Sequence, residues 1–388
     1  MFAGLYVHIP FCINKCPYCD FYSITDLSLK SEYMGALMQE MQLTRNDALQ
    51  FDTLYMGGGT PSVLDAKNIG QIIENAHQSY EILDNAEITL EVNPGTITAE
   101  QLEAYRHTGV NRIIIGVQSF DQANLHFLGR LHKSTDANLA VKWTRDAGFE
   151  NIGLDLIYGL PEQTIKSWLL DLRHAVEAEP QHLSCYMLTC EPGTPLDKNR
   201  QEGLFQPLSE RQVSELFETT LSFLSSHGYV QYEISNFALA CSDRISTENS
   251  EPNQSRHNQK YWSFVPYIGL GPSAHSFIEL QRCWNHPSVK KYIHKLATGR
   301  LPLEGKETLS LKQLMIETVY LGLRQTKGIA IDSFDKKFGV SFIAMFGEIT
   351  TSLEEKGLIK YSQNRCALTP RGMLFLDSIV SMFTQQIA

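Results

Sequence analysis

The chain has 388 residues, of which 43% are hydrophobic and 20% charged, a composition typical of a soluble globular protein. Its net charge of −10 argues against a broad nucleic-acid-binding face, so no nucleic-acid partner is expected. No run of about 18 apolar residues predicts a transmembrane segment, and the first residues lack the basic and apolar regions of a secretion signal. We therefore expect a cytoplasmic protein.

Short apolar runs alternate with segments of helical periodicity through the first part of the chain. The candidate strands lie at residues 3–9, 52–57, 87–92, 112–117, 152–157 and 182–188, and two of the clearest helices lie at 33–43 and 165–176. This order predicts βαβ units and a parallel sheet. Six units are too few for a closed eightfold barrel. We predict an α/β fold with a partial, TIM-like (β/α)6 barrel over residues 1–235, whose ligand site lies at the carboxyl ends of the strands.

The rhythm changes after the predicted barrel. A further strand is predicted at 229–234. The second region, 236–305, is predicted to be rich in loops, because it contains a polar segment at 241–256, which we expect to be mobile, and a glycine-rich stretch at 269–276. The third region, 306–388, has a helical pattern and a short candidate hairpin, an order that is similar to a winged helix. We expect this module to serve packing or dimerisation rather than DNA binding.

The cysteines carry the strongest chemical signal. Three of the eight, Cys12, Cys16 and Cys19, form a C-x3-C-x2-C pattern directly after the first strand, and the other five are treated as ordinary thiols. Three thiolates on one loop can hold three corners of a [4Fe-4S] cluster, which normally takes four, so one iron would stay open to another ligand. A zinc site is the alternative. The residues that could complete a zinc site are Cys185, Cys190 and His8.

This cysteine spacing, with Tyr18 before the last cysteine, resembles the signature of the radical S-adenosylmethionine (SAM) superfamily. The resemblance implies that the open iron binds the amino and carboxylate groups of SAM. Reduction would then cleave the sulfonium to a 5′-deoxyadenosyl radical. The superfamily's fold is a partial (β/α)6 barrel, in agreement with the strand pattern.

The resemblance also implies a set of SAM-binding residues. These residues are Tyr6, Tyr18, Gly58, Gly59, Thr60, Glu91, Gln118, Arg130 and Asp155. The backbone of the MGGGTP loop, with Thr60, would receive the methionine amino group. The carboxylates of Glu91 and Asp155 suit ribose hydroxyls, and the Gln118 amide suits adenosine edges or the substrate. Arg130 can pair with the methionine carboxylate.

The two tyrosines of this set would lie close to the ligands: Tyr6 would face the cluster, and the backbone of Tyr18 would meet the adenine. Each residue taken alone has a structural alternative. The glycines could form a plain turn, the polar strand ends could be buried hydrogen-bonded groups, Arg130 could form a surface salt bridge, and Tyr6 could be a packed core residue. Convergence of several polar groups at one edge favours the ligand site.

Further strings narrow the resemblance to the coproporphyrinogen III dehydrogenase family, which acts on porphyrins. These strings are HIPFC, CPYCDF, YMGGGTPS, EVNPGT, GVQSF, LGRLH, DLIYGLP, YEISNFA and GLGPSAHS. Three features favour the heme-chaperone branch over the dehydrogenases. Phe21 occupies the place of an additional cysteine, Cys12 lies too close to the first residue for a long N-terminal arm, and HNQKYW at 257–262 matches an HNxxYW motif associated with heme.

The HNxxYW motif also makes chemical sense. His257 can be an axial ligand of heme iron, and the rings of Tyr261 and Trp262 can stack on a porphyrin. Because it follows the polar segment, we expect His257 to be mobile when no heme is bound, with an ordinary surface histidine as the alternative. His275, in the glycine-rich stretch, is a competing ligand whose alternative is a hydrogen-bonded loop residue.

The resemblance thus implies a heme chaperone that binds a [4Fe-4S] cluster, SAM and heme and delivers heme to hemoproteins of the respiratory chain. It leaves open a homodimer and a peripheral membrane contact. One alternative is an oxygen-independent coproporphyrinogen III oxidase that makes protoporphyrinogen IX by radical decarboxylation of propionate side chains. Another is a zinc-stabilised binding module without a redox role.

Overall fold

The computed structural model describes residues 2–241, 253–362 and 364–387. Its main feature is a 12-stranded sheet in the order β12-β11-β10-β9-β1-β2-β3-β4-β5-β6-β8-β7. These strands are β1 (Ala3–Ile9), β2 (Asn46–Gly58), β3 (Tyr80–Val92), β4 (Arg112–Gln118), β5 (Asn151–Tyr158), β6 (His182–Met187), β7 (Tyr229–Glu233), β8 (Asn236–Leu239), β9 (Tyr267–Leu270), β10 (His275–Ile278), β11 (Gln281–Asn285) and β12 (Leu303–Thr308). The strands β1 to β6 pair in parallel and in chain order, which confirms the predicted α/β fold.

Helices follow most of the parallel strands, and most of the helices cover the outer face of the sheet. Up to residue 297 they are α1 (Lys30–Leu43), α2 (Ala66–Ser79), α3 (Ala99–His107), α4 (Gln122–Phe127), α5 (Ser134–Asp146), α6 (Ile165–Glu177), α7 (Pro195–Gln201), α8 (Glu210–Ser226), α9 (Arg256–Trp262) and α10 (Val289–Ala297). Many begin at a side-chain cap. Thr164, for example, forms a capping box at α6. No helix in the described part of the chain is long and apolar enough to cross a membrane.

The parallel strands have two chemically different faces. Leu5, Val7 and Ile9 of β1 belong to the hydrophobic core that the sheet forms with the helices. Because side chains alternate along a strand, Tyr6 and His8 point to the opposite, inner face. The inner face is therefore polar and suits ligand binding, whereas the outer face forms the hydrophobic core that stabilises the fold.

The region 236–305 was predicted to be loop-rich, and that prediction is wrong for its described residues. It contains the strands β8 to β12 and the helices α9 and α10, and the glycine-rich stretch forms the end of β9, a tight turn and the start of β10. These strands have only four to six residues, so they depend on pairing within the sheet rather than on a strong local pattern. Residues 242–252 of the predicted mobile segment lie outside the described residues.

The end of the chain forms the expected, mostly helical region with a hairpin. It contains α11 (Leu311–Arg324), β13 (Ile329–Ala330), α12 (Ile331–Phe338), α13 (Phe342–Glu355), β14 (Ile359–Ser362), β15 (Arg365–Leu368), α14 (Pro370–Met373) and α15 (Leu376–Ile387). The strands pair in the order β13-β15-β14. Phe342, Phe346 and Phe383 pack together in the core of this region. Its helical character is therefore confirmed.

A buried carboxylate attaches the added strands to the parallel sheet. Glu40 of α1 accepts hydrogen bonds from the Gly271 amide at 2.8 Å, the Tyr292 hydroxyl at 2.6 Å and the Asn285 amide at 2.6 Å. Burial raises the pKa of Glu40 to about 7. Gly271 has a φ of +96°, and a side chain there would collide with the carbonyl of His8. The turn between β9 and β10 is thus held against the end of β1.

Replacing Glu40 with alanine should destabilise the protein. The substitution removes the acceptor that three buried donors share, and we expect a loss of about 2–4 kcal/mol in the free energy of unfolding. Urea unfolding followed by tryptophan fluorescence measures the change. Glu32→Ala, at an exposed position on the same helix, is the control and should have little effect. Equal stabilities of the two variants would contradict this role of Glu40.

Candidate functional site

The cysteine loop follows the carboxyl end of β1, and backbone hydrogen bonds hold its two ends together. The Cys12 amide donates to the Ile24 carbonyl at 2.9 Å, and the Ile24 amide donates to the Pro10 carbonyl at 2.7 Å. Within the loop, the Cys19 amide donates to the Cys16 carbonyl at 3.1 Å. Cys12 is buried, whereas Cys16 and Cys19 are partly exposed. The loop thus carries three free thiols at one edge of the sheet.

Two neighbouring donors contact these thiols. The Thr60 hydroxyl lies 3.5 Å from the Cys12 sulfur, and the Arg130 guanidinium lies 3.6 Å from the Cys16 sulfur. Burial raises the pKa of the Cys19 thiol, and the nearby Cys16 and Cys12 add to the rise. A bound cation would favour all three thiolates. Among the described residues, no three His, Cys, Asp or Glu side chains are grouped closely enough for a single metal ion.

Two of the three groups that could complete a zinc site, Cys185 and His8, are engaged elsewhere. Cys185 lies in the hydrophobic core on the outer side of β6. The His8 ring is buried, with one nitrogen 2.8 Å from the Tyr22 carbonyl and the other 3.1 Å from the Tyr6 hydroxyl. Burial lowers the pKa of His8 to about 4. Cys190 is partly exposed, in the loop after β6.

The glycine loop after β2 packs directly on the cysteine loop. The Gly59 amide donates to the Ile9 carbonyl and the Thr60 amide to the Phe11 carbonyl, each at 2.8 Å. A Cβ at Gly59 would lie 2.7 Å from the Phe11 carbonyl oxygen, and Gly58 has a φ of +110° with its Cβ position 2.5 Å from the His8 ring. Steric constraints therefore require bare backbone at these positions.

Two carboxyl groups lie on the inner face, Glu91 on β3 beside this loop and Asp155 farther along the sheet on β5. Glu91 of β3 accepts a hydrogen bond from the Tyr55 hydroxyl at 2.6 Å and another from the Gly58 amide at 3.2 Å. Burial, together with the charge of Asp155, raises the pKa of Glu91 to about 7. Burial likewise raises the pKa of Asp155 to about 6. Both groups are strong acceptors that lack full hydration, which suits them to bind hydroxyl groups of a ligand.

Arg130 and Gln118 are two further polar residues at the carboxyl ends of the parallel strands. Arg130 donates from one terminal nitrogen to the Gly116 carbonyl at 2.7 Å, while its Nε is buried without a hydrogen-bond partner among the described residues. Gln118 ends β4 with a φ of +69°, a backbone conformation that costs a non-glycine residue about 1–3 kcal/mol and is frequent at ligand sites. Tyr18 packs against a small apolar cluster that includes Leu128.

The structure therefore gathers most of the residues chosen from the sequence at or just below the carboxyl ends of the parallel strands. These residues are Tyr6, Tyr18, Gly58, Gly59, Thr60, Glu91, Gln118, Arg130 and Asp155, beside Cys12, Cys16 and Cys19. His257 is not among them.

His257 lies deeper, where α9 covers the opposite end of the inner face. Its side chain is 1% exposed, with one ring nitrogen 2.8 Å from the Thr53 hydroxyl and the other 2.8 Å from the Tyr261 hydroxyl. Burial lowers the pKa of His257 to about 3, so the ring is neutral. The structure thus shows neither a mobile ligand nor a surface histidine, because both ring nitrogens are engaged and the ring is enclosed.

Charged groups that the sequence analysis missed hold α9 in place. The Glu87 carboxylate accepts hydrogen bonds from the amides of His257 at 3.2 Å and Arg256 at 3.3 Å. Lys260 pairs with Asp52 at 2.5 Å. Glu87 lies at an inward position of β3, two residues before Thr89 and four before Glu91, so the period-two alternation of the strand was a usable signal.

The comparisons with known proteins agree with this architecture. Residues 6–175 match the radical SAM superfamily, and residues 309–375 match the HemN C-terminal domain. The heme chaperone HemW of Bacillus subtilis is 34% identical over 387 residues, which cover 98% of this chain and 99% of the relative. The chain belongs to the HemW family. This membership confirms the resemblance to the radical SAM superfamily found from the sequence motifs.

Other HemW proteins and a solved structure support the family assignment and the fold. HemW of Escherichia coli is 38% identical over 280 residues, which cover 70% of this chain and 69% of the relative. The structure of the radical SAM enzyme coproporphyrinogen III oxidase, HemN, from Escherichia coli is similar with a TM-score of 0.83. It is 24% identical in sequence, and the match covers 98% of this chain and 90% of that one, so it shows a shared fold.

The glycine loop gives a direct test of the site. Gly58→Ala should raise the dissociation constant of SAM by about tenfold or more, because the new Cβ meets His8 and the positive φ disfavours alanine. Isothermal titration of anaerobically reconstituted protein measures the affinity. Gly95→Ala is the matched control: it lies in the loop after β3, where the nearest atom to an added Cβ is 3.4 Å away. Unchanged affinity in Gly58→Ala would remove this loop from the site.

Proposed function

We propose that the protein is a heme chaperone that binds a [4Fe-4S] cluster, SAM and heme, and that it delivers heme to hemoproteins of the respiratory chain. The observation that carries the proposal is the match along nearly the whole chain to relatives described as heme chaperones. Family membership in the radical SAM superfamily supports the cluster and SAM. Residues 1–235, 236–305 and 306–388 would serve as the barrel, the heme-motif segment and a packing or dimerisation module.

The residues present fit the cluster and SAM. Cys12, Cys16 and Cys19 would hold three irons, with the Thr60 hydroxyl and the Arg130 guanidinium donating to two of the thiolates. When bound, the cluster and SAM together would supply the reductive cleavage of the SAM sulfonium to an adenosyl radical.

The remaining polar groups would orient SAM. The unpartnered Nε of Arg130 can donate to the methionine carboxylate. The carboxylates of Glu91 and Asp155 can accept from the ribose hydroxyls, and Gln118 and the Tyr18 backbone would meet the adenosine. Tyr6, whose ring centroid lies 6.2 Å from that of Tyr55, would support the cluster side of the pocket.

The surface around the cysteine loop supports heme transfer over porphyrin decarboxylation. Phe21 is 67% exposed at the place where the resembling dehydrogenases carry an additional cysteine, and its ring offers neither a thiolate nor a proton. Ile13 on the same loop is 52% exposed, and Leu131, next to Arg130, is 66% exposed. Exposed apolar groups at a ligand site suit a flat apolar cofactor or a partner protein that accepts it.

Iron loading tests the cluster. Anaerobic reconstitution should give a brown protein with a broad visible charge-transfer band, because thiolate-bound iron–sulfur clusters absorb there. Cys12→Ser, Cys16→Ser and Cys19→Ser should each lose most of the band. Cys241→Ser, at an exposed cysteine, is the control and should keep it. A colourless protein loaded with zinc would favour the zinc-stabilised binding module instead.

Two assays on the unmutated protein separate the chaperone from the oxidase. Addition of hemin should produce a saturable Soret shift, since heme is the proposed cargo. Incubation with coproporphyrinogen III, SAM and a reductant should leave the substrate unchanged when the products are separated by chromatography. Accumulation of protoporphyrinogen IX without a Soret shift would identify the oxidase and overturn the proposal.

A further inference from the structure

The strand β4 ends in a strained turn. The Ser119 amide donates to the Val117 carbonyl, two residues back, at 2.9 Å, and Gln118 between them has a φ of +69°. A hydrogen bond that spans three residues, with a positive φ at the central one, describes a γ-turn of the strained type. Because this conformation costs free energy in a residue other than glycine, it persists only where neighbouring groups hold it.

The turn determines where the Gln118 amide lies. A Cβ added at Gly116 would lie 3.0 Å from the Gln118 Nε2 and 3.4 Å from a terminal nitrogen of Arg130. The same Arg130 nitrogen donates to the Gly116 carbonyl at 2.7 Å. The Gln118 side chain is therefore directed back over β4, beside the guanidinium. Because a change in φ rotates a side chain relative to the preceding strand, relaxation of the turn would move the amide away from Arg130.

A buried carboxylate from α6 holds the residues that follow the turn. Asp171 is 2% exposed, and it accepts hydrogen bonds from the Ser119 hydroxyl at 2.6 Å and the Phe120 amide at 2.7 Å. Burial raises the pKa of Asp171 to about 6, and these two hydrogen bonds oppose the rise, so the group is ionised above neutral pH. One carboxylate thus fixes both residues directly after Gln118.

The Ser119 hydroxyl requires an acceptor in this place. Its oxygen already accepts from the Asp121 amide at 3.0 Å and from the Asn124 side-chain amide at 3.2 Å. A hydroxyl has two lone pairs and one proton, so its proton must go to Asp171. A carboxamide instead of the carboxylate would place its NH2 group against either the filled Ser119 oxygen or the Phe120 amide. Either arrangement sets a donor against a donor and releases the turn.

The other side of the turn is held from the loop after α4. The Val117 carbonyl accepts from the buried ring of His132 at 3.1 Å, in addition to the amide of Ser119. Burial lowers the pKa of His132 to about 4, so the ring is neutral and its Nε2 carries the hydrogen for this bond. The loop that carries Arg130 is therefore tied to the same turn as Gln118.

We propose that Asp171 is a positioning residue for SAM: through Ser119 and Phe120 it holds the strained turn that directs the Gln118 amide toward the ligand. The inference rests on the proposed binding of SAM. It extends the site to a helix on the outer side of the sheet, whose carboxylate acts through the turn without contacting SAM itself.

Titration of SAM into full-length protein, with its cluster reconstituted under anaerobic conditions, tests the role of Asp171. Asp171→Asn should raise the dissociation constant by about tenfold, because the Gln118 amide is no longer held in place. Ser119→Ala removes the hydroxyl that links the carboxylate to the turn, and it should raise the constant to a similar extent. The second variant carries the test if Asp171→Asn does not fold.

A matched control loosens the same helix without touching the turn. Thr220 of α8 is buried and accepts a hydrogen bond from the Trp168 indole of α6 at 2.7 Å. Thr220→Val removes this acceptor, so it should lower the midpoint of urea unfolding but leave the affinity for SAM unchanged. An equal loss of affinity in Thr220→Val would contradict a specific role of Asp171.

A double-mutant cycle with Gln118→Ala separates positioning from a general loss of structure. Gln118→Ala alone should weaken SAM binding. Adding Asp171→Asn to it should change the dissociation constant less than about twofold, because the amide that Asp171 positions is already absent.

Two results would overturn the inference while SAM binding stands. One is an unchanged affinity in Asp171→Asn, and the other is an equal, about tenfold effect of Asp171→Asn with and without the Gln118 side chain. If the unmutated, reconstituted protein bound no SAM, the proposed function itself would fail, and the role of Asp171 with it.

Discussion

The polar inner face of the curved sheet is the constraint on which the rest of the structure depends. A buried charge such as that of Glu87 is costly unless it finds hydrogen-bonding or charged partners. At one end of the face α9 supplies these partners, since Glu87 caps its first amides and Lys260 meets Asp52. At the other end, the Nε of Arg130 is buried without a hydrogen-bond partner among the described residues. The same face is therefore sealed at its base and open to ligands at its mouth.

A continuous set of contacts joins the two ends. The His257 ring stacks on Tyr55 at 5.1 Å, the Tyr55 hydroxyl donates to Glu91, and Glu91 accepts from the amide of Gly58. The position of the glycine loop thus depends on the seating of α9. This arrangement gives the HNxxYW motif a structural explanation, because its histidine and tyrosine, together with Lys260 between them, are used in closing the base of the barrel.

Sequence patterns captured the elements whose signals are local. The apolar runs of β1 to β6 and the cysteine and glycine loops follow from short stretches of chain, and they matched the structure to within a few residues, apart from the longer starts of β2 and β3. The strands β9 to β12 were not predicted, because four-residue strands such as β9 and β10 acquire their stability from pairing within the sheet. The burial of His257 was not predicted, because its hydrogen-bond partner Thr53 lies 204 residues away in the chain. Inward alternation in β3 could have revealed Glu87.

Heme transfer is the most direct test of the central claim that the protein is a heme chaperone. Heme-loaded protein, with its cluster reconstituted under anaerobic conditions, is mixed with a heme-depleted respiratory hemoprotein. The two are then separated, and the Soret spectrum and activity of the acceptor are measured. The proposal predicts that the acceptor gains heme and activity faster than from an equal concentration of free hemin. Heme that stays with the donor, or transfer no faster than from free hemin, would contradict it.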